Sequence, residues 1–157
     1  MNQKRIIIIL IIGVVLLLIL SSLLLWQPAL VMENSMEPAL SNGDWIFIQK
    51  VSKNPEKGDI VIFKNPFSGD FVIKRVILVE HEKLVIDDNW LITDFGSYYL
   101  SPRQIETFLP TNYVPENFFF AAGDNMMISE DSRDWGFISY KDITGKMMFN
   151  NSGEITE

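Results

Sequence analysis

The sequence predicts a mainly β protein, in which an antiparallel β-sheet domain follows one N-terminal transmembrane helix. Three observations carry this. Ile6 to Leu25 is an aliphatic run without a charge. After it, helical periodicity gives way to short β-branched and aromatic runs. Between those runs stand clusters such as "SNG", "KNPEKG" and "NPFSG", whose residues favour turns.

The predicted order is a cytoplasmic N-terminus over 1–5, a transmembrane helix over 6–25 and an extracytoplasmic domain over 26–157. In the apolar run only Gly13, Ser21 and Ser22 depart from Ile, Leu and Val. About 20 residues rising about 1.5 Å each span about 30 Å, the thickness of a bilayer's hydrocarbon core. Lys4 and Arg5 precede the run, so the positive-inside rule leaves the N-terminus in the cytoplasm and puts the chain beyond Trp26 outside. A cleaved secretory signal has an apolar region of about 7–15 residues and a small-residue cleavage site. The stretch "LLLWQPALV" offers no such site, so the run reads as a retained single-pass anchor in the plasma membrane.

The strand candidates are "DWIFIQKV", "GDIVIFKN", "DFVIKRVILVE", "KLVI", "NWLIT", "NFFFAAGDN" and "GFISYKDI". Asp87-Asp88-Asn89, between two apolar runs, predicts a tight hairpin. Ser101 to Glu116, with Pro102, Pro110 and Pro115, reads as a long loop with a weakly signalled helix from Arg103 to Phe108. The polar end after Phe149 is expected to fray.

Composition removes several function classes. With 157 residues, the chain suits one domain with a real core. All 20 acidic residues lie beyond the anchor, and the net charge is −7. That opposes nucleic acid and electrostatic docking on anionic lipid, leaving the anchor as the contact with membrane lipid. There is no cysteine, hence no disulfide or thiolate. No phosphate-cradling loop or metal-ligand cluster stands out, so no cofactor and no metal is expected. The single histidine, His81, lies between Glu80 and Glu82 and reads as a solvated loop residue.

In "DFVIKRVILVE", alternation puts Val72, Lys74 and Val76 on one face and Phe71, Ile73, Arg75 and Ile77 on the other. A strand apolar on both faces is a buried one, so Lys74 sits among valines. Taken alone, such a lysine reads as structural, with its ammonium lifted into water. The loop "GDNMMISEDSRDWG" reads, alone, as a solvated charge cluster. An exposed Asp131–Arg133 pair there is worth under about 1 kcal/mol.

Taken together, "NSMEPALSNGD", "KGDIVIF", "VIKRVI" and "GDNMMISEDSRDWG", in this order behind one anchor, resemble the bacterial type I signal peptidases, or leader peptidases. The resemblance implies the β domain of that family and a serine–lysine dyad that removes signal peptides from exported proteins, cutting after small residues. It implies Ser35 as nucleophile, Lys74 as general base and Ser129 as the hydroxyl that orients Lys74. Asp131 and Arg133 form a supporting ion pair, while Asp124 and Asn125 shape their loop. The pocket for small side chains is lined by Val31, Met32, Met36, Leu40, Val72 and Ile73. Implied partners are the signal peptides of preproteins, with an association with the secretion machinery as a further possibility. A free lysine titrates near about 10.4, whereas a useful base needs roughly 7–8; burial among apolar groups supplies such a shift.

The sequence departs from the family's pattern at several places. Glu33 stands two before Ser35, where serine or glycine is usual and serine is an oxyanion donor. A missing donor costs about 10²–10³ in rate, and a nearby carboxylate favours charged lysine. Ala39 replaces the usual threonine after Pro38. "LVEHEKL" stands where a "GLPGD" segment is usual, and "GDNMMIS" lacks the basic and asparagine residues usual there. These departures predict a specialised or accessory enzyme whose oxyanion is held by the Asn34 side chain or the amides of Ser35 and Met36. The competing readings are a signal-peptidase-like protein that binds export or surface-assembly substrates without cutting them, and a self-cleaving serine–lysine repressor. The anchor argues against the repressor.

Overall fold

In a computed structural model, the chain is described for residues 3–50, 54–108 and 110–150. Helix α1 spans Gln3–Leu25, and its residues Gln3–Ser21 are long and apolar enough to cross a membrane, with none of that stretch buried against the rest of the protein. Strand β1, Trp26–Leu30, begins at the next residue. It is an edge strand, which is where Pro28 can be accommodated because its missing N–H faces no partner.

Strands β2 (Trp45–Gln49), β3 (Ile60–Lys64), β4 (Phe71–Leu78), β8 (Phe118–Ala122) and β9 (Ile138–Ser139) fall within expected runs. With β1 and β10 (Ile143–Asn150) they make a seven-stranded antiparallel sheet in the order β1-β2-β10-β3-β4-β8-β9. Strands β5 (Val85–Asp87), β6 (Trp90–Thr93) and β7 (Gly96–Tyr99) form a separate three-stranded sheet. The expected hairpin joins β5 to β6. Asp87 pairs with Trp90, and Asp88 and Asn89 both take positive φ, 42° and 68°, as a two-residue turn of right-handed twist demands. The backbone of β10 continues the sheet through Asn150, and the polar tail beyond lies outside the described residues.

Helix α2, Pro102–Phe108, stands where the weak helical signal was. Ser101 and Gln104 cap it reciprocally: Ser101 N donates to Gln104 Oε1 at 2.8 Å, and Gln104 N donates to Ser101 Oγ at 3.3 Å. Pro102 occupies the first helical position, where a missing N–H costs nothing.

Three apolar clusters make the core. One, with Val31, Met36, Leu40, Ile46, Ile60 and Met147, lies beneath the loop between β1 and β2. A second joins β3, β4, β8 and β9 through Phe63, Val76, Phe119 and Ile138, with Phe63 edge-on to Phe119 at 5.6 Å. The third packs the small sheet and α2 on the far half of β4 through Ile77, Leu91, Tyr98, Phe108 and Phe120. Between them, the first two clusters hold both faces of β4. Val72 packs beside Val76 in one and Ile73 in the other, the alternation expected of a buried strand.

Candidate active site

Ser35 lies in the β1–β2 loop, whose conformation is fixed from below. Met36 and Leu40 are each 1% exposed and insert into the core, and Leu40 N closes a helical turn on Met36 O at 2.9 Å. The loop is thereby a rigid mount for a side chain at its rim. Lys74 stands in the middle of β4, opposite Val61 of β3. These two chain positions, 39 residues apart, meet: Lys74 Nζ and Ser35 Oγ share a hydrogen bond of 2.8 Å. Lys74 is 3% exposed and Ser35 9%. Burial pushes the Lys74 ammonium below the ordinary lysine range. The carboxylates of Asp131, Glu33 and Glu130 pull the other way, while Arg133 adds to the lowering.

The loop after β8 closes over the pair. Gly123 leaves the strand where a Cβ would run into the Ser129 side chain and the Ser35 carbonyl, so only glycine fits this approach. Asn125 clamps the nucleophile's loop twice: its N–H donates to Ser35 O at 3.0 Å and its Nδ2 to Asn34 O at 3.2 Å. Asp124 turns away from the dyad and takes both Nε (2.8 Å) and Nη2 (2.7 Å) of Arg75, whose Nη1 donates to Gly58 O. Arg75 is the neighbour of Lys74 on β4, so adjacent residues of one strand hold the dyad and the loop that covers it.

Asp131 has no exposed surface. It receives Nε and Nη2 of Arg133 at 2.9 Å each, and also the N–H groups of Gly123 and Arg133. In addition it caps helix α3, Ser132–Trp135. Arg133 Nη2 in turn donates to the carbonyls of Met126 and Ser129 at 3.1 Å. The pair is thus the buried keystone of the loop rather than a solvated cluster. The Ser129 side chain packs at Gly123 beside the Ser35 carbonyl, and its hydroxyl donates to Glu130 O at 3.4 Å.

A cleft of about 690 Å³ opens onto the dyad. Of the expected pocket residues, Val31, Met32, Met36, Val72 and Ile73 line it. Leu40 does not: it is buried in the core cluster beneath, because the turn that closes on Met36 aims it inward. The cleft extends further than expected, to Trp135 at one wall and the β3–β4 hairpin at one end. Strand β8 pairs with β4 only from Arg75 onward, while β3 pairs with it from Phe71. The edge of Phe71–Lys74 opposite β3 is therefore open for an added extended segment.

The comparisons with known proteins identify the family of the chain. The chain matches the family described as "Signal peptidase, peptidase S26" over residues 3–151. The chain belongs to this family. "Thylakoidal processing peptidase 1, chloroplastic" of Arabidopsis thaliana is 32% identical over 80% of this chain and 42% of that protein. "Probable signal peptidase I-1" of Synechocystis is 32% identical over 78% of this chain and 69% of that one. "Signal peptidase IB" of Staphylococcus aureus is 30% identical, covering 78% and 75%. The chain thus spans under half the length of the Arabidopsis relative and about three quarters of the staphylococcal one. As a peptidase S26 chain with an exposed apolar helix of membrane-crossing length, it is a membrane-anchored protein.

Glu33 is the site's most marked departure from the pattern this family implies. It is exposed at the cleft, and its charge opposes the neutral amine at Lys74. Glu33→Ser removes that charge and adds a hydroxyl donor. The expected result is faster cleavage of a peptide with no charge near its cleavage site, with the acid limb of kcat/KM moved to lower pH. The pH–rate profiles of the two proteins check it.

Proposed function

We propose that the protein is a membrane-bound serine endopeptidase that removes signal peptides from exported proteins, cutting after small residues. The observation that carries this reading is the buried 2.8 Å contact between Lys74 Nζ and Ser35 Oγ at the floor of an open cleft. A neutral Lys74 accepts the Ser35 proton as Oγ attacks the carbonyl carbon of the residue before the scissile bond. Among the described residues, the backbone N–H groups of Ser35 and Met36 have no intramolecular acceptor, which leaves them available to the developing oxyanion. As the tetrahedral intermediate collapses, the C–N bond breaks and the Lys74 ammonium protonates the leaving amine. Lys74 then deprotonates the water that hydrolyses the Ser35 ester and restores the serine.

The signal peptide lies extended along the open edge of β4, with its small side chains against Val31, Met36, Val72 and Ile73. Ser129 takes the orienting role toward Lys74, which requires its hydroxyl to leave the Glu130 carbonyl. The N-terminus is cytoplasmic and the cleft lies on the outer side of the plasma membrane, as Lys4 and Arg5 before the span imply. The reading of a binding protein that does not cut is disfavoured by the same contact, since a grip on substrate requires neither a buried amine nor a serine in contact with it.

The test uses the full chain in detergent and a labelled preprotein. Cleavage after a small residue by the unaltered protein, absent in Ser35→Ala, supports the proposal. Equal cleavage by both, or binding of the preprotein with no product from either, sinks it.

A further inference from the structure

The cleft carries an unusual charge for one that holds a lysine. Three carboxylates line it from three separate loops: Glu33 before the nucleophile, Glu130 in the covering loop and Asp70 in the β3–β4 hairpin. All three are exposed, and none has an ion-pair partner among the described residues. Elsewhere, Asp59, Asp124, Asp131 and Glu82 are each paired with a lysine or arginine at 2.6–2.9 Å. Lys74 is the one basic residue in the lining, and it must shed its charge to act. Lys64 lies over the Phe71 ring at 5.8 Å, outside the lining. At the moment of reaction the charged groups left in the lining are therefore all anionic, set among apolar side chains and the neutral Ser35, Asn65 and Ser68.

An apolar floor selects small uncharged side chains, but it says nothing of their neighbours. Glu33, two residues before the nucleophile, and Glu130, in the loop that closes over the dyad, both line the cleft and both act on Lys74, with Arg133 beneath that loop acting in the opposite sense. Asp70 precedes Lys74 by four residues, about 13 Å of extended strand, and continues the acidic tract toward the far end of the cleft. A lysine or arginine on the substrate finds two unsatisfied carboxylates there, whereas an acidic residue meets like charge.

We infer that this protein selects substrates bearing a lysine or arginine within two residues of the scissile bond, read by Glu33 and Glu130, and discriminates against acidic residues there. The inference rests on the peptidase reading and narrows it to a substrate class. Discrimination comes as much from repulsion of acidic flanks as from attraction of basic ones.

The experiment compares three peptides that share one small-residue cleavage site and differ only in a flanking Lys, Gln or Glu. They are presented to the full chain in neutral detergent at low salt. The expected kcat/KM falls in the order Lys, Gln, Glu, with about tenfold between the extremes, a swing typical of partly exposed charge pairs acting in opposite senses. In the double variant E33Q/E130Q the three values converge, whatever its overall rate. They also converge for the unaltered protein in about 1 M salt, where the screening length is about 3 Å. Equal cleavage of the three peptides by the unaltered protein overturns the inference, as does an order that survives in E33Q/E130Q. If no peptide is cut at all, the peptidase reading itself falls, a result distinct from equal cutting.

Discussion

Lys74→Met is expected to abolish cleavage while raising the melting temperature. The loss of activity comes from removal of the proton acceptor, which costs at least about 10²–10⁴ in rate. The gain in stability comes from relieving the cost of keeping an amine at 3% exposure. Burial lowers the Lys74 pKa below its ordinary 10.5. Between the folded value and 10.5 the unfolded chain binds more protons than the folded one, so stability rises with pH across that window. At neutral pH, below 10.5, the folded protein has not recovered that stability, and an apolar chain of similar length carries no such burden. Thermal melts of both proteins across neutral and alkaline pH check this. Lys74→Met melts higher at neutral pH, and the gap narrows as the pH approaches 10.5. A variant that melts below the unaltered protein at every pH would show that the amine is not strained by its surroundings.

Asp131→Ala is expected to have the largest effect on stability. The carboxylate is fully buried and receives four hydrogen bonds, from Gly123 N, Arg133 N and two guanidinium nitrogens. Its removal leaves Arg133 charged and unpaired where the side chain is 11% exposed. Breaking one partner of a buried pair costs about 3–5 kcal/mol. The loss of the cap on α3 adds about 1 kcal/mol. For a domain of this size the melting temperature falls by more than about 10 °C. Circular dichroism melts measure that drop. Activity should fail at temperatures where the variant is still folded, because Gly123, Asn125 and Ser129 are held in one loop by this pair and Asn125 fixes the Ser35 carbonyl. A melting temperature within a few degrees of the original would contradict the keystone role.

How much of this was legible in the sequence depended on the range of the forces involved. Helix α1 was legible because a charge-free aliphatic run of about 20 residues favours a helix long enough to cross a membrane. Strands β2, β3, β4, β6 and β8 were legible from their β-branched and aromatic content. Strand β1 was hidden by Pro28, β7 by the short Gly-Ser start of "GSYY", and β10 by a mixed "ITGKMMFN" whose pairing with both β2 and β3 comes from tertiary contact. The candidate dyad was legible only through resemblance, since nothing local in "VIKRVI" says that a serine 39 residues earlier faces it. The tie from Arg75 to Asp124 was missed: alternation sends Arg75 away from Lys74, and no local signal says what waits on that side. Leu40 was misplaced because a pattern of apolar residues does not distinguish a pocket wall from the layer beneath it.

Helix α1 passes into β1 without a single intervening residue, and Ala29, Leu30 and Val31 already line the cleft. With α1 spanning the membrane as proposed, the junction would work as a depth gauge. Four residues of extended chain, about 13 Å, separate the last helical turn from the first residue of the cleft wall. Under the proposed function, a polypeptide leaving the bilayer would be met at a set height, and a peptide bond far out in solution would lie beyond the reach of a domain with so short a tether.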